Sequence, residues 1–222
     1  MLVLPNAWDV ASARAFAALP GCRAIATSSA AVARSLGWED GERTPSAEML
    51  FVVQRIAEAV DLPVTADLEA GYGDPPGTAA AALRAGAVGM NLEDSHADAR
   101  LMPLEEQVAV IRAVREAAPE IVLNARVDTF LLGDTDVAHA IERGNAYLAA
   151  GADCIYPITA PAETIGALTK GINGPVNILF SPESPGLDEL EQLGVARVTF
   201  GAGLAAVALT AATRVAAVAL QR

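Results

Sequence analysis

The sequence predicts an α/β chain folded as a single (β/α)8 barrel over residues 1–222, and three observations carry that prediction. Short β-rich runs alternate with longer, alanine-rich amphipathic segments eight times over. A chain of 222 residues, 53% hydrophobic and 19% charged, suffices for one large core of the size such a barrel needs. Neither GxGxxG nor GxxxxGK[ST] occurs, so the glycine-rich first turn of a doubly wound nucleotide-binding sheet is missing.

The elements follow in order. "LVLPN" (2–6) reads as the first strand and 8–19 as its helix; "RAIATS" (23–28) is the second, followed by helical stretches at 30–36 and 46–60. "PVTADL" (63–68) leads into a helix at 76–86, "VGMNLE" (88–93) into 104–117, and "IVLNARV" (121–127) into 134–150. "CIYPI" (154–158), "PVNILF" (175–180) and "RVTFG" (197–201) complete the set, with helices at 161–170, 187–194 and 203–220. Glycine punctuation at Ala85 to Ala87, Ala150 to Ala152 and Leu193 to Gly194 fits helix ends that turn into the next strand.

Charge narrows the partners. A net charge of −12 and a pI near 4.5 work against nucleic acid and anionic membrane, which repel such a chain at long range. No leader pattern opens the sequence, and Thr210, Thr213 and Arg214 interrupt the apolar C-terminal run, so the expectation is a cytoplasmic protein without a membrane span. Cys22 and Cys154 lack zinc spacing and read as buried structural thiols.

Chemistry concentrates at the strand ends. In "TADLEAGYGD" (65–74), Asp67 and Glu69 stand two positions apart and leave the same face of a strand, where two like charges call for a cation between them. Ser28 and Ser29, Glu93 and Asp94, Arg126 and Asp128 occupy the ends of neighbouring strands, with Asp40 on the long loop 36–46. Mg²⁺ or Mn²⁺ suits this set, because a hard cation takes carboxylate oxygen directly and keeps waters that further carboxylates hold. Arg126 is the one cation among these strand ends, suited to a substrate carboxylate. Backbone N–H groups in "TSSAA" (27–31) offer a second anion cradle. His96, in the loop "EDSHADARLMP" (93–103), is placed as a candidate acid/base, and Asn177 points into the barrel or its mouth.

Taken together, "PNAWDVASAR", "ATSSAAVARSLGWED", "DLPVTADLEAGYGD", "GMNLED" and "LNARVD" resemble the isocitrate lyase/phosphoenolpyruvate mutase superfamily over essentially the whole chain. The resemblance implies a (β/α)8 barrel, a Mg²⁺ site and small 2-oxo or 2-hydroxy acid substrates whose C–C or P–C bond is made or broken through an enolate. By matching position, Asp67 resembles the direct metal ligand and Asp40, Glu69 and Glu93 the residues that hold its waters. Ser28, Ser29 and Ala30 resemble the segment that grips the substrate carboxylate, and Arg126 the arginine of the fifth strand. Three departures stand out: Glu69 is one methylene longer than the aspartate of the usual pattern, Ala26 replaces an aromatic residue, and the loop after the fourth strand lacks the Lys-Lys-Cys-Gly-His segment of isocitrate and methylisocitrate cleavage. The expectation is therefore a Mg²⁺-dependent C–C lyase or decarboxylase on a 2-oxo dicarboxylate such as oxaloacetate or 2-oxoglutarate, with Arg126, Asp40 and His96 as candidate catalytic groups and Ser28, Ser29, Ala30, Asp67, Arg126 and Asn177 as candidate substrate contacts. The alternatives are P–C bond chemistry, or a 2-oxo acid binding protein without turnover. The apolar last helix implies a dimer or tetramer, with that helix packed on a neighbouring subunit.

Overall fold

Parallel strands that bury both faces need helices outside and packed side chains inside, and closing the sheet removes its edges. The computed structural model describes residues 1–96 and 98–221. It contains eight parallel strands: β1 (Leu2–Leu4, continued by Asn6–Ala7), β2 (Ile25–Thr27), β3 (Val64–Asp67), β4 (Gly89–Leu92), β5 (Val122–Val127), β6 (Cys154–Pro157), β7 (Asn177–Leu179) and β8 (Arg197–Thr199). The first part of β1 pairs with β8 (Leu2 opposite Arg197) and its second part with β2 (Asn6 opposite Ala26). Pro5, which has no N–H to donate, lies at that switch, and its carbonyl accepts from Ala26 N at 3.0 Å. From β2 to β6 each strand pairs with the next, β7 pairs with β8, and a bridge between Ile155 and Val176 closes the ring.

The helices are α1 (Val10–Ala17), α2 (Ser29–Leu36), α3 (Ser46–Ala57), α4 (Pro75–Arg84), α5 (Leu104–Ala117), α6 (Val137–Ala150), α7 (Ile165–Gly171), α8 (Leu187–Gln192) and α9 (Gly203–Leu220). Local chemistry fixes several starts. Asp9 and Ser12 form a reciprocal capping box on α1, and Asp74 caps α4 through Gly77 N at 3.0 Å, with Pro75 preset for the first turn. The expected helix at 161–170 begins instead as a 3₁₀ turn, Ala162–Thr164. Met90, Leu92, Leu123, Val127 and Ile155 from the strands pack with Ile111, Val114 and Tyr147 from the helices in one buried core.

One sequence-based expectation needs correction. Cys154 is buried, but Cys22 is only half-buried, because it precedes β2 on an exposed turn. The last helix, α9, is largely exposed: Leu204 and Ala205 at its start are half-buried, none of its residues is fully buried, and Val207, Leu209, Val215, Val218 and Leu220 are each at least two-thirds exposed. Its 18 residues have a mean hydropathy of 1.8, so by length and composition alone it is apolar enough to cross a bilayer despite Thr210, Thr213 and Arg214.

Candidate active site

At the C-terminal ends of the strands, a cavity of about 320 Å³ brings Ser28, Ser29, Ala30, Asp40, Asp67 and Arg126 together. Each arrives by a local rule. Asp67 ends β3, where the strand stops pairing and its side chain turns into the mouth. Ser28 is the N-cap of α2, so the serines and Ala30 present the first turn of that helix to the cavity. Asp67 is held on both oxygens: Ser29 donates to Oδ2 from N at 2.9 Å and from Oγ at 2.8 Å, and Asn91 Nδ2 donates to Oδ1 at 3.1 Å. Asn124 Nδ2 in turn donates to Asn91 Oδ1 at 2.7 Å. This chain fixes the carboxylate before any ligand arrives.

Sequence reasoning did not single out Asn91, Asn124, Tyr156 or Asn6. The signal was available: Asn91 and Glu93, and Asn124 and Arg126, stand two apart in strands otherwise almost apolar. Asn6 joins three strands, donating to Thr27 O at 2.7 Å and accepting from Phe200 N at 2.7 Å. Tyr156 lines the cavity, and burial pushes its hydroxyl pKa up to about 12, so it stays protonated there.

The expected ring of acids is divided. Glu69 does not line the Asp67 cavity; it is 3% exposed and ties two loops together. Its Oε2 accepts from Glu42 N, its Oε1 accepts from Tyr72 Oη at 2.7 Å, and Glu42 Oε1 accepts from Tyr72 N at 2.5 Å. Glu42, Glu69 and Tyr72 all adopt left-handed backbone (φ 59°, 51° and 55°), a conformation that costs a non-glycine residue and persists only where its surroundings enforce it. The latch anchors the loop that carries Asp40. Burial raises the Asp40 pKa, and the negative charge of Asp67 adds to the rise; burial raises that of Glu69 as well, with Asp40 and Asp67 adding to it and the Tyr72 and Glu42 hydrogen bonds opposing it. Asp94 and Asp128 are fully buried away from the cavity, Asp94 accepting from Arg143 Nε at 2.8 Å and from Tyr147 Oη at 2.6 Å.

Arg126 sits between this cavity and a second one of about 340 Å³, lined by Glu69, Glu93, Ser95 and His96 among others. It is not an uncommitted cation. Nε and Nη2 donate to the two oxygens of Asp128 at 2.5 and 2.8 Å, and Nη1 pairs with Glu93. Burial alone would lower its pKa, but the two carboxylates outweigh burial and raise it. His96 is exposed and reaches only the second cavity, on the far side of Arg126 from Asp67. Asn177 is fully buried and donates from Nδ2 to Thr199 Oγ1 at 3.1 Å; it finds its polar partner inside the barrel and needs no ligand there.

Among the described residues no three His, Cys, Asp or Glu side chains gather as a metal cage. That donor set still fits a hard divalent cation, which takes one or two carboxylates and fills the remaining positions with water and substrate oxygens. Asp67 and Asp40 line one cavity; burial first, and the Asp67 charge second, raise the pKa of Asp40, and a cation between the two carboxylates would oppose both.

Residues 1–220 match the model of the phosphoenolpyruvate phosphomutase family. An uncharacterised protein of Mycobacterium tuberculosis is 37% identical over 204 residues, covering 90% of this chain and 77% of its own. The 2-methylisocitrate lyase of Bacillus subtilis is 33% identical over 174 residues, which cover 73% of this chain and 57% of the lyase. A crystal structure from Burkholderia cenocepacia J2315, provisionally assigned as a phosphonomutase, superimposes with a TM-score of 0.88 at 39% identity, covering 100% of this chain and 94% of that one. The chain belongs to the phosphoenolpyruvate phosphomutase family, within the isocitrate lyase/phosphoenolpyruvate mutase superfamily of lyases and mutases.

Proposed function

We propose that the chain is a divalent-cation-dependent lyase that breaks a C–C bond of a small 2-oxo acid, with oxaloacetate-type compounds as the simplest substrates. The observation that carries this reading is the convergence of the α2 first turn, Asp67, Asp40 and Arg126 on one cavity of about 320 Å³. Asp67 and Asp40 would hold Mg²⁺ or Mn²⁺, and when bound that cation supplies positive charge for a developing enolate oxygen.

The chain's own residues do the rest. Ala30 N–H and the Ser28 hydroxyl, at the start of α2, orient the substrate carboxylate, while Ser29 is committed to Asp67. Tyr156 stays protonated beside the cavity and donates a hydrogen bond to a substrate oxygen. Phe180, Phe200, Leu179 and Ile158 form the opposite wall and limit the water that could protonate a carbanion prematurely. Decarboxylation of oxaloacetate, whose second carboxylate stands β to the 2-oxo carbonyl, releases CO2 and leaves the electron pair in an enolate without an acid to start it, so a loop without the Lys-Lys-Cys-Gly-His segment suffices. Of the five guanidinium N–H groups of Arg126, three are taken by Asp128 and Glu93, which leaves two for a second carboxylate. Because those acids already balance its charge, Arg126 contributes direction more than net attraction. The same pairing weighs against phosphoryl transfer, which needs cations to spare.

The test is a turnover screen of oxaloacetate, 2-oxoglutarate, alkyl-substituted 2-hydroxy acids and phosphonopyruvate with Mg²⁺ or Mn²⁺, on the wild type and Asp67→Ala. Cleavage of a 2-oxo acid by the wild type, lost in Asp67→Ala, is the expected result. Turnover confined to phosphonopyruvate, or no turnover with intact ligand binding, would overturn the reading.

A further inference from the structure

We propose that the opposite, N-terminal end of the barrel carries a second ligand site, which takes the carboxylate of a small aliphatic acid on Arg197. Arg197 opens β8 and is only 7% exposed. Its Nε and Nη2 are buried with no hydrogen-bond partner, and among the described residues no carboxylate pairs with it. The other two buried arginines differ, because Arg126 binds Asp128 and Glu93 and Arg143 binds Asp94. A guanidinium removed from water without a hydrogen-bonded counter-charge is costly; burial lowers its pKa and the more distant Asp67 carboxylate opposes that only in part, so the unpartnered Nε and Nη2 leave a demand for an anion close by.

Arg197 lines a cavity of about 270 Å³ whose walls contain no acidic residue. Leu2, Leu4, Val88 and Val122 make those walls aliphatic, and exposed Arg23 adds a second cation. Gly89 lines it where the strands approach closely, since a Cβ there would stand 2.9 Å from Val122 O and 3.0 Å from Thr65 Oγ1. Two cations among hydrocarbon walls fit a carboxylate on a short apolar body better than a fully hydrated inorganic ion. This cavity shares no lining residue with the one that holds Asp67, so its occupant does not take the substrate's place.

Thermal shift and calorimetry with isobutyrate, inorganic phosphate and chloride at constant ionic strength test this in the wild type, Arg197→Met, Val88→Phe and Asp67→Ala. Isobutyrate should raise the wild-type Tm saturably and act equally on Asp67→Ala, while Arg197→Met should bind it at least about tenfold more weakly and be no less stable without it, since an apolar side chain of similar length removes an unpaired buried charge. Val88→Phe, which narrows the cavity mouth and leaves Arg197 in place, should lose the response too, and carries the test should Arg197→Met not fold. Absence of a saturable shift in the wild type, equal shifts in the wild type and both cavity variants, or stabilisation by phosphate alone would overturn the proposal.

Discussion

At the scale of single residues, the site is set by which carboxylates are paired and which are not. Glu93 and Asp128 share Arg126, Glu69 belongs to a latch, and Asp67 and Asp40 face the cavity. Arg126→Lys keeps a charge but loses the bidentate contact with Asp128, so it should lower unfolding stability by about 1.5–3 kcal/mol, the worth of a charge-assisted hydrogen bond, read by urea denaturation. Unchanged stability would mean that the pair with Asp128 contributes nothing. Glu69 gives a pH signature. Its pKa is raised in the folded chain, so the native state binds that proton more tightly than the unfolded one. Its contribution is therefore present at low pH and is lost as pH rises from the unfolded value, about 4.3, through the raised native value. In EDTA, Glu69→Gln should flatten that part of the Tm-against-pH curve; an identical slope in both proteins would refute the assignment. The pairing of these residues was not legible in the sequence, because Glu69 and Glu93 look alike at strand ends and only the loop conformations separate them. Asn91 was missed for the converse reason: a neutral amide carries little signal beside acids, although together with Ser29 it fixes Asp67.

Secondary-structure elements were far more legible, since period and glycine punctuation located all eight strands and the helices between them. Strand ends were overrun: the regular strand in "RAIATS" covers only Ile25–Thr27 and that in "PVNILF" only Asn177–Leu179, with Val176 adding the single bridge to Ile155. The loop 36–46 depends on the left-handed residues Glu42, Glu69 and Tyr72, which no pattern announces. Tyr72→Phe removes the hydroxyl that donates to Glu69 and should cost about 1 kcal/mol of stability. If the latch positions Asp40, this variant should also weaken Mn²⁺ binding several-fold, and Glu42→Gln should do the same. Wild-type Mn²⁺ affinity in both would show that the loop holds Asp40 without the latch.

For the whole molecule, α9 is the feature that one barrel does not account for. We propose that it packs on a second copy of the chain, giving a dimer or tetramer. Burying each of Val207, Leu209, Val215, Val218 and Leu220 is worth roughly 1.5–3 kcal/mol against a partner or in a bilayer alike, but a bilayer would also take in Arg214 at a cost of about 2.5–3.5 kcal/mol, which a protein interface with water at its rim avoids. Light scattering at micromolar concentration should give a mass above one chain, and Val215→Glu with Val218→Glu should shift it toward the monomer; a monomeric wild type would contradict the packing. A net charge of −12 makes any anion's approach unfavourable unless a cation balances the cavity, and the central claim turns on that balance. The most direct test is calorimetric titration with oxalate, a planar dianion shaped like the enolate of pyruvate, into the wild type with Mg²⁺, the wild type with EDTA, and Asp67→Ala with Mg²⁺. Saturable one-to-one binding in the first, weakened at least about tenfold in the other two, is the predicted result. Equal affinity in all three would contradict it.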